Sequence, residues 1–303
     1  MTSPTTHAPR TDDEWTIHAL NIHGAIFERK CQHIVSNVPG WDIKATNHPV
    51  MYPLEISYGQ RGEESELDIH ALSTQRGYPV SLLIECKKNN PNFVDWNFLS
   101  HLTKNKDTFR QSCHRLLFEN LSSETSVGRL AAGTLELPDL FLAGDGRETK
   151  GSYQGNKTGD FTKTSNDAIT KAAYQVALAT QAIVKRDFLA CQPGSSRQAL
   201  PTLHYYVPVI VTTARLFRVD FDPAEVDVKT GEIPENKATR TAIKWVVYDY
   251  PLPCHLQFDP YGSPSVPAQA DSTKLQILIV KSEALGEVLQ RASRSDVFGW
   301  PEP

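Results

Sequence analysis

ELDIHALSTQRGYPVSLLIECKK, residues 66–88, is the stretch on which the reading of the chain turns. Residues 66–72 alternate acidic or polar with apolar types, as a half-buried strand does. Residues 78–86 are rich in apolar and β-branched types, as a central strand is. Gly77 between them can take the positive φ of a tight hairpin. A two-residue turn at Arg76 and Gly77 pairs the strands so that Asp68 lies opposite Glu85, with neighbouring strands about 4.8 Å apart. Side chains alternate along a strand, so Glu85 and Lys87 share one face while Ile84 and Cys86 take the other. Two carboxylates that close repel unless a cation lies between them. A divalent ion completed by waters and a substrate phosphate suits such a pair. Lys87 adds a compact charge for an attacking hydroxide and the phosphorane it generates. A slip of one residue in the register would undo this arrangement.

Outward from the hairpin, residues 1–11 read as a disordered polar tail. Asp12 and Asp13 can cap a helix running to about Val38, stopped by Pro39 and Gly40. Phe27, Cys31, Ile34, Val35 and Val38 form its buried face. Residues 54–58 read as a short strand. The aromatic and basic stretch from about 92 to 120 reads as partly helical, and residues 144–160 as a Gly-rich mobile loop. An amphipathic helix begins near Asn166 or Asp167, with Ile169, Ala172, Ala173, Val176, Ala177, Ile183 and Val184 on its buried face. Residues 205–213, 243–250 and 274–281 read as strands and 282–292 as a closing helix. The expected fold is an α/β mixed sheet flanked by helices. One domain spans 12–256, and 257–303 adds a linker and a C-terminal strand-helix extension.

Of the 303 residues, 40% are hydrophobic and 22% charged, which argues for a globular chain over a disordered one. The net charge of -4 means that contact with nucleic acid needs a local basic surface. Cys31, Cys86, Cys113, Cys191 and Cys254 are scattered without zinc-finger spacing and read as reduced thiols. The N-terminus lacks a signal peptide's basic and apolar regions, and no apolar run is long enough to span a membrane. A soluble cytoplasmic protein is expected.

Asp68 followed by Glu85-Cys86-Lys87, on a hairpin behind an N-terminal helix, resembles the PD-(D/E)XK nuclease superfamily, which includes many restriction endonucleases. The likeness covers roughly residues 14–90, and more loosely 167–190 and 205–213. It implies a restriction-endonuclease-like core in which Asp68 and Glu85 bind Mg²⁺, with Mn²⁺ as substitute. It also implies that Lys87 assists the attacking water and that Glu28, on the first helix, stands near the metal. Leu67 departs from the family's proline before the aspartate. The implied activity is hydrolysis of phosphodiester bonds, in DNA more than in RNA, and the likeness leaves room for a homodimer. The alternative is a non-catalytic nucleic-acid-binding or interaction module that keeps the nuclease fold, and intact Asp, Glu and Lys speak against it.

Glu66 and His70 share the Asp68 face and are candidates to support the site. Lys88, Lys104, Lys106, Arg110 and Arg115, with His114, Trp96, Phe98 and Phe109 nearby, are candidates for a phosphate path; a helix with one wet face explains them as well. Gly155-Asn156-Lys157-Thr158 is rejected as a phosphate loop, because Lys does not directly follow Gly and no strand leads into it.

Overall fold

The computed structural model describes residues 11–22, 24–52, 62–75, 79–89, 95–100, 111–122, 125–135, 137–149, 167–190, 203–256 and 273–293. The first helix, α1 (Asp12–Ile22), is capped by Thr11 and not by Asp12 or Asp13. The Glu14 amide donates to Thr11 Oγ1 at 3.3 Å and the Thr11 amide donates to Glu14 Oε2 at 2.8 Å, a reciprocal capping box. The single helix expected to Val38 is two helices. Gly24 adopts φ 82 and ends the first path, and α2 (Ala25–Asn37) starts afresh from it. A left-handed residue is cheap only for glycine, so the chain turns there.

The sheet begins with an antiparallel meander of β1 (Asp42–Tyr52), β2 (Glu63–Ser73) and β3 (Val80–Lys87). β1 has no counterpart among the expected strands. It is polar and largely exposed, with Val50 its one buried side chain, so it carries no apolar run to announce it. The strand expected over 54–58, the tail 1–10 and the linker 257–272 lie outside the described residues, as does the turn at Arg76 and Gly77.

The remaining strands are β4 (Asp95–Ser100), β5 (Gln111–Ser122), β6 (Thr125–Leu135), β7 (Leu142–Thr149), β8 (Leu203–Thr212), β9 (Arg215–Phe221), β10 (Ala238–Ile243), β11 (Trp245–Pro251) and β12 (Lys274–Lys281). The sheet runs β1-β2-β3-β8-β12-β11-β7-β4-β9-β10, with the β5–β6 hairpin joined to β8. The pairs β3–β8, β8–β12, β11–β7 and β4–β9 are parallel, so the sheet is mixed.

The structure corrects two further expectations. The stretch read as partly helical supplies strands β4 and β5. In β4, Trp96 and Phe98 alternate with Asp95 and Asn97, and the two aromatic rings are fully buried. Residues 144–149, read as part of a mobile loop, lie in β7. Gly146 is needed there for closeness, because a Cβ would stand 2.9 Å from the Phe98 ring; residues 151–160 lie outside the described residues. The C-terminal strand β12, expected over 274–281, is a strand over Lys274–Lys281. It lies between β8 and β11 in mid-sheet, with Val209↔Leu278 and Val247↔Leu278 on its two edges.

Helix α3 (Asp167–Ala190) covers one face, crossing β1, β2, β3 and β8. The residues the periodicity picks out, Ile169 to Val184, are buried, and so are Leu178, Ala179, Thr180, Gln181 and Ala182 between them, so the helix is enclosed over 176–184. Its N-terminus is capped from the sheet: buried Glu148 accepts from the Ala168 amide at 2.7 Å and the Ile169 amide at 3.3 Å. α2 and α4 (Leu285–Ala292) pack together on the other face, where Val35, Leu285 and Leu289 meet Ile84, Val207 and Val209. Each fully buried Leu, Ile or Val contributes about 1.5–3 kcal/mol. Among the described residues no helix is long and apolar enough to cross a membrane.

Candidate active site

β2 and β3 pair from Ile69↔Ile84 to Ser73↔Val80, the register that a two-residue turn at Arg76 and Gly77 requires. One further step brings Asp68 alongside Glu85, but not as a regular ladder pair. On the other side of β2 the pairing passes from Thr46↔Ile69 to His48↔Leu67, and Asn47 between them adopts φ 47. Leu67 packs in the α3-side core and Ile69 in the α2-side core. Residues two apart on a regular strand share a face, so the alternation resets at Asp68. The freed carboxylate reaches to β3, where the Cys86 amide donates to Oδ2 at 2.6 Å.

Glu85 stands near the end of β3 and is 1% exposed. Its Oε1 lies 2.6 Å from Lys87 Nζ, the pairing that two residues on one face of a strand allow. Its Oε2 is buried with no hydrogen-bond partner among the described residues. Burial first, then the charge of Asp68, pushes Glu85 up to about 7, with Lys87 opposing. Burial also pushes Asp68 up to about 6, against the stabilising Cys86 amide and with help from the charges of Glu28 and Glu66. A buried carboxylate oxygen without a partner costs free energy that a folded chain ordinarily avoids.

Glu28 comes to the same place because α2 restarts at Gly24. Its Oε1 lies 3.7 Å from the position a Cβ on Gly24 would occupy, and its charge raises both Asp68 and Glu85. Glu28, Glu66, Asp68, Glu85, Lys87 and Gln175 line a cleft of about 350 Å³. Gln175, from α3, is the residue the sequence reading missed. Its signal was one long polar side chain beside Ala172, Ala173, Val176 and Ala177, all buried.

The other candidates are placed differently. Lys88 is exposed at the cleft's rim, and its ammonium donates to the Asn21 carbonyl at the end of α1. Glu66 lines the cleft; His70 does not, and its Nε2 lies 2.9 Å from Ser81 Oγ. Trp96 and Phe98 are core residues and line no phosphate path. Arg115 and His114 lie on β5, opposite Tyr205 and Tyr206, instead of on a helix. Lys104, Lys106, Phe109, Arg110 and Gly155-Asn156-Lys157-Thr158 lie outside the described residues. Among the described residues no group of three or more His, Cys, Asp or Glu side chains is gathered closely enough to cage a metal by itself.

Compared with models of known families, with curated proteins and with solved structures, the chain matches none of them. The functional reading therefore rests on the chemistry of this cleft.

Proposed function

We propose that the protein is a magnesium-dependent nuclease with a restriction-endonuclease-like core, hydrolysing phosphodiester bonds of nucleic acid, DNA before RNA. One observation carries the reading. Two carboxylates of raised pKa, Glu85 buried and Asp68 half-buried, share a cleft with a lysine, and one Glu85 oxygen is left without a partner among the described residues. A site that holds like charges together in low dielectric is unfavourable by itself and is what binding of a cation relieves.

The donors fit a hard divalent ion. Asp68 commits one oxygen to the Cys86 amide, and Glu85 Oε2 has no bond to lose. Two carboxylates are too few for a closed cage, and that suits Mg²⁺, which keeps several waters and takes substrate phosphate oxygens. Asp68 and Glu85 would hold the ion, with Glu28 as a third negative charge at the rim. Bound Mg²⁺, or Mn²⁺ in its place, supplies Lewis-acid polarisation of the phosphate and lowers the pKa of water. Lys87 offsets the charge that builds on the phosphate oxygens and orients the attacking water. The Cys86 amide fixes the Asp68 carboxylate, so this acid need not be ordered at the moment of reaction. DNA is the preferred substrate because the Asp68, Glu85, Lys87 pattern resembles that of restriction endonucleases.

The test is incubation with single- and double-stranded DNA and RNA, with and without metal. Mg²⁺ and Mn²⁺ are expected to support cleavage, and Ca²⁺ to support binding with little turnover. Equal cleavage in EDTA overturns the metal-dependent reading.

A further inference from the structure

Far from the cleft, beyond β8, β12 and β11 along the sheet from β3, the outer strands β7, β4, β9 and β10 turn an arginine-rich face to solvent. The register sets Arg147 beside Asn97, Asn97 beside Phe217, and Arg215 beside Asp95. Trp96, Phe98 and Leu216, on the opposite face of the same strands, are buried in the α3-side core.

Asp95 lies almost wholly buried beneath this face and holds two guanidiniums. Arg215 Nε donates to its Oδ1 and an Arg240 terminal nitrogen to its Oδ2, each at 2.6 Å. Arg240 Nε donates to Asn97 Oδ1 at 2.8 Å, and its guanidinium lies 3.4 Å from the centre of the Phe217 ring. The Arg240 plane is thus fixed from beneath and from two sides. Even so, the Arg147, Arg215 and Arg240 side chains remain 47%, 49% and 43% exposed. Three guanidinium charges meet two carboxylates, Asp95 and Asp145, and Asp95 is covered. The face is locally cationic on a chain of net charge -4. A buried carboxylate under exposed arginines is expensive as pure structure, because stripping water from the charges is not fully offset at a surface. It does fix guanidinium forks in the orientation that phosphate takes.

We infer that the β7–β4–β9–β10 face is a docking surface for a single strand of nucleic acid, with phosphates on Arg147 and Arg215 and a base on the Arg240 plane. The charge selects a polyanion. A flat guanidinium plane on an open sheet selects unpaired bases, which stack on such planes. Three strand spacings separate Arg147 from Arg240, about 14 Å, the reach of a few nucleotides. The middle of the surface, at β4, lies about 24 Å along the sheet from β3, so it would hold substrate away from the point of cleavage. The inference extends the nuclease reading above, but its readout does not need catalysis.

The test measures binding of labelled single-stranded and duplex DNA in EDTA across a salt series. The full chain is compared with Arg147→Ala and with a combined Asp95→Asn, Arg215→Gln, Arg240→Gln variant, which leaves no buried charge unpaired. Single-strand affinity is expected to fall on the order of tenfold in the combined variant, and the salt slope to shrink by about 0.7 for each phosphate no longer neutralised. Arg147→Ala, which breaks an ion pair with exposed Asp145, is expected to lose one such increment with its melting temperature intact. Unchanged affinity and slope in Arg147→Ala and in the combined variant overturn the surface, whatever the parent cleaves. Loss confined to duplex overturns the choice of a single strand. A parent that never cleaves, with these binding losses intact, overturns the nuclease reading and leaves the surface standing.

Discussion

β2 and β3 carry two polar clusters within a few residues of one another, and they are built on opposite terms. In the first, Asp68 and Glu85 repel, both are pushed toward the neutral form, and Glu85 Oε2 has no partner among the described residues. In the second, every bond has a direction. Tyr206 donates to Asp187 at 2.9 Å, so it accepts from His204 Nδ1 at 3.0 Å. His204 Nε2 then accepts from Ser81, and Ser81 accepts from His70 Nε2, both at 2.9 Å. This order needs His204 neutral, since its Nε2 accepts, and burial pushes His204 to about 3 and His70 to about 4. A connected chain of this kind rigidifies the sheet. The unsaturated pair is poor structure, and its unmet valences are what a substrate or ion can use.

The comparison breaks first on the largest effect. Asp68→Ala, Glu85→Ala and Lys87→Ala should each cut Mg²⁺-dependent cleavage by at least about 10²-fold; the two acid variants should melt at or above the parent, and Lys87→Ala, which takes the ion-pair partner from buried Glu85, below it. Variants that cleave normally would put the site elsewhere, and variants that fail to fold would show these residues to serve the fold alone. Ser81→Ala should do the reverse. It leaves two buried imidazole nitrogens unpaired, a loss of about 2–3 kcal/mol that lowers the melting temperature by about 5–10 °C. Its kcat on DNA should stay within a few-fold of the parent's.

Stability against pH in EDTA sharpens the contrast, because the two clusters respond with opposite sign. The histidines fold with lowered pKa, so their contribution is complete above about 6.5 and is lost as pH falls toward 4 and 3. The acids fold with raised pKa, so their contribution is complete below about 4 and is lost as pH rises through about 6 and 7. Glu85→Gln should therefore melt with the parent at pH 4 and above it at pH 8. Urea midpoints at the two pH values measure this, and equal gains at both would refute it. The smallest effect is expected of Glu28→Gln. Removing its charge lets Asp68 and Glu85 ionise more readily, so the acid limb of the pH–rate profile should move to lower pH, with a rate change under about tenfold.

The hairpin, its register and the long α3 helix were legible because each rests on local period: two for the strands, 3.6 for the helix, with Gly77 marking the turn. Asp68, Glu85 and Lys87 came together for the same reason, whereas Glu28 was placed by the resemblance alone and reaches the cleft through the restart at Gly24. His70 did not join them, because its ring pairs with Ser81, a partner that strand pairing alone brings to it. β1 and β7 were hidden by polarity and glycine, and both lie where their neighbours supply the buried surface. The break at Gly24 was hidden because a glycine inside a helical pattern is tolerated as often as it turns the chain. Arg215, Arg240 and Asp95 are far apart in sequence, and only strand pairing assembles them.

The mid-sheet position of β12 bears on how the chain is made. A ribosome delivers residues 274–281 late, yet those residues join β8 to β11. Until they emerge, the growing polypeptide carries two half-sheets with raw edges on either side of the gap. Pairing across so long a sequence separation is slow, and open edges invite other chains. The unpaired edges of β8 and β11 are therefore where a chain lacking that stretch is expected to associate. A message cut short before codon 273 would yield a product that sticks to its own kind instead of folding.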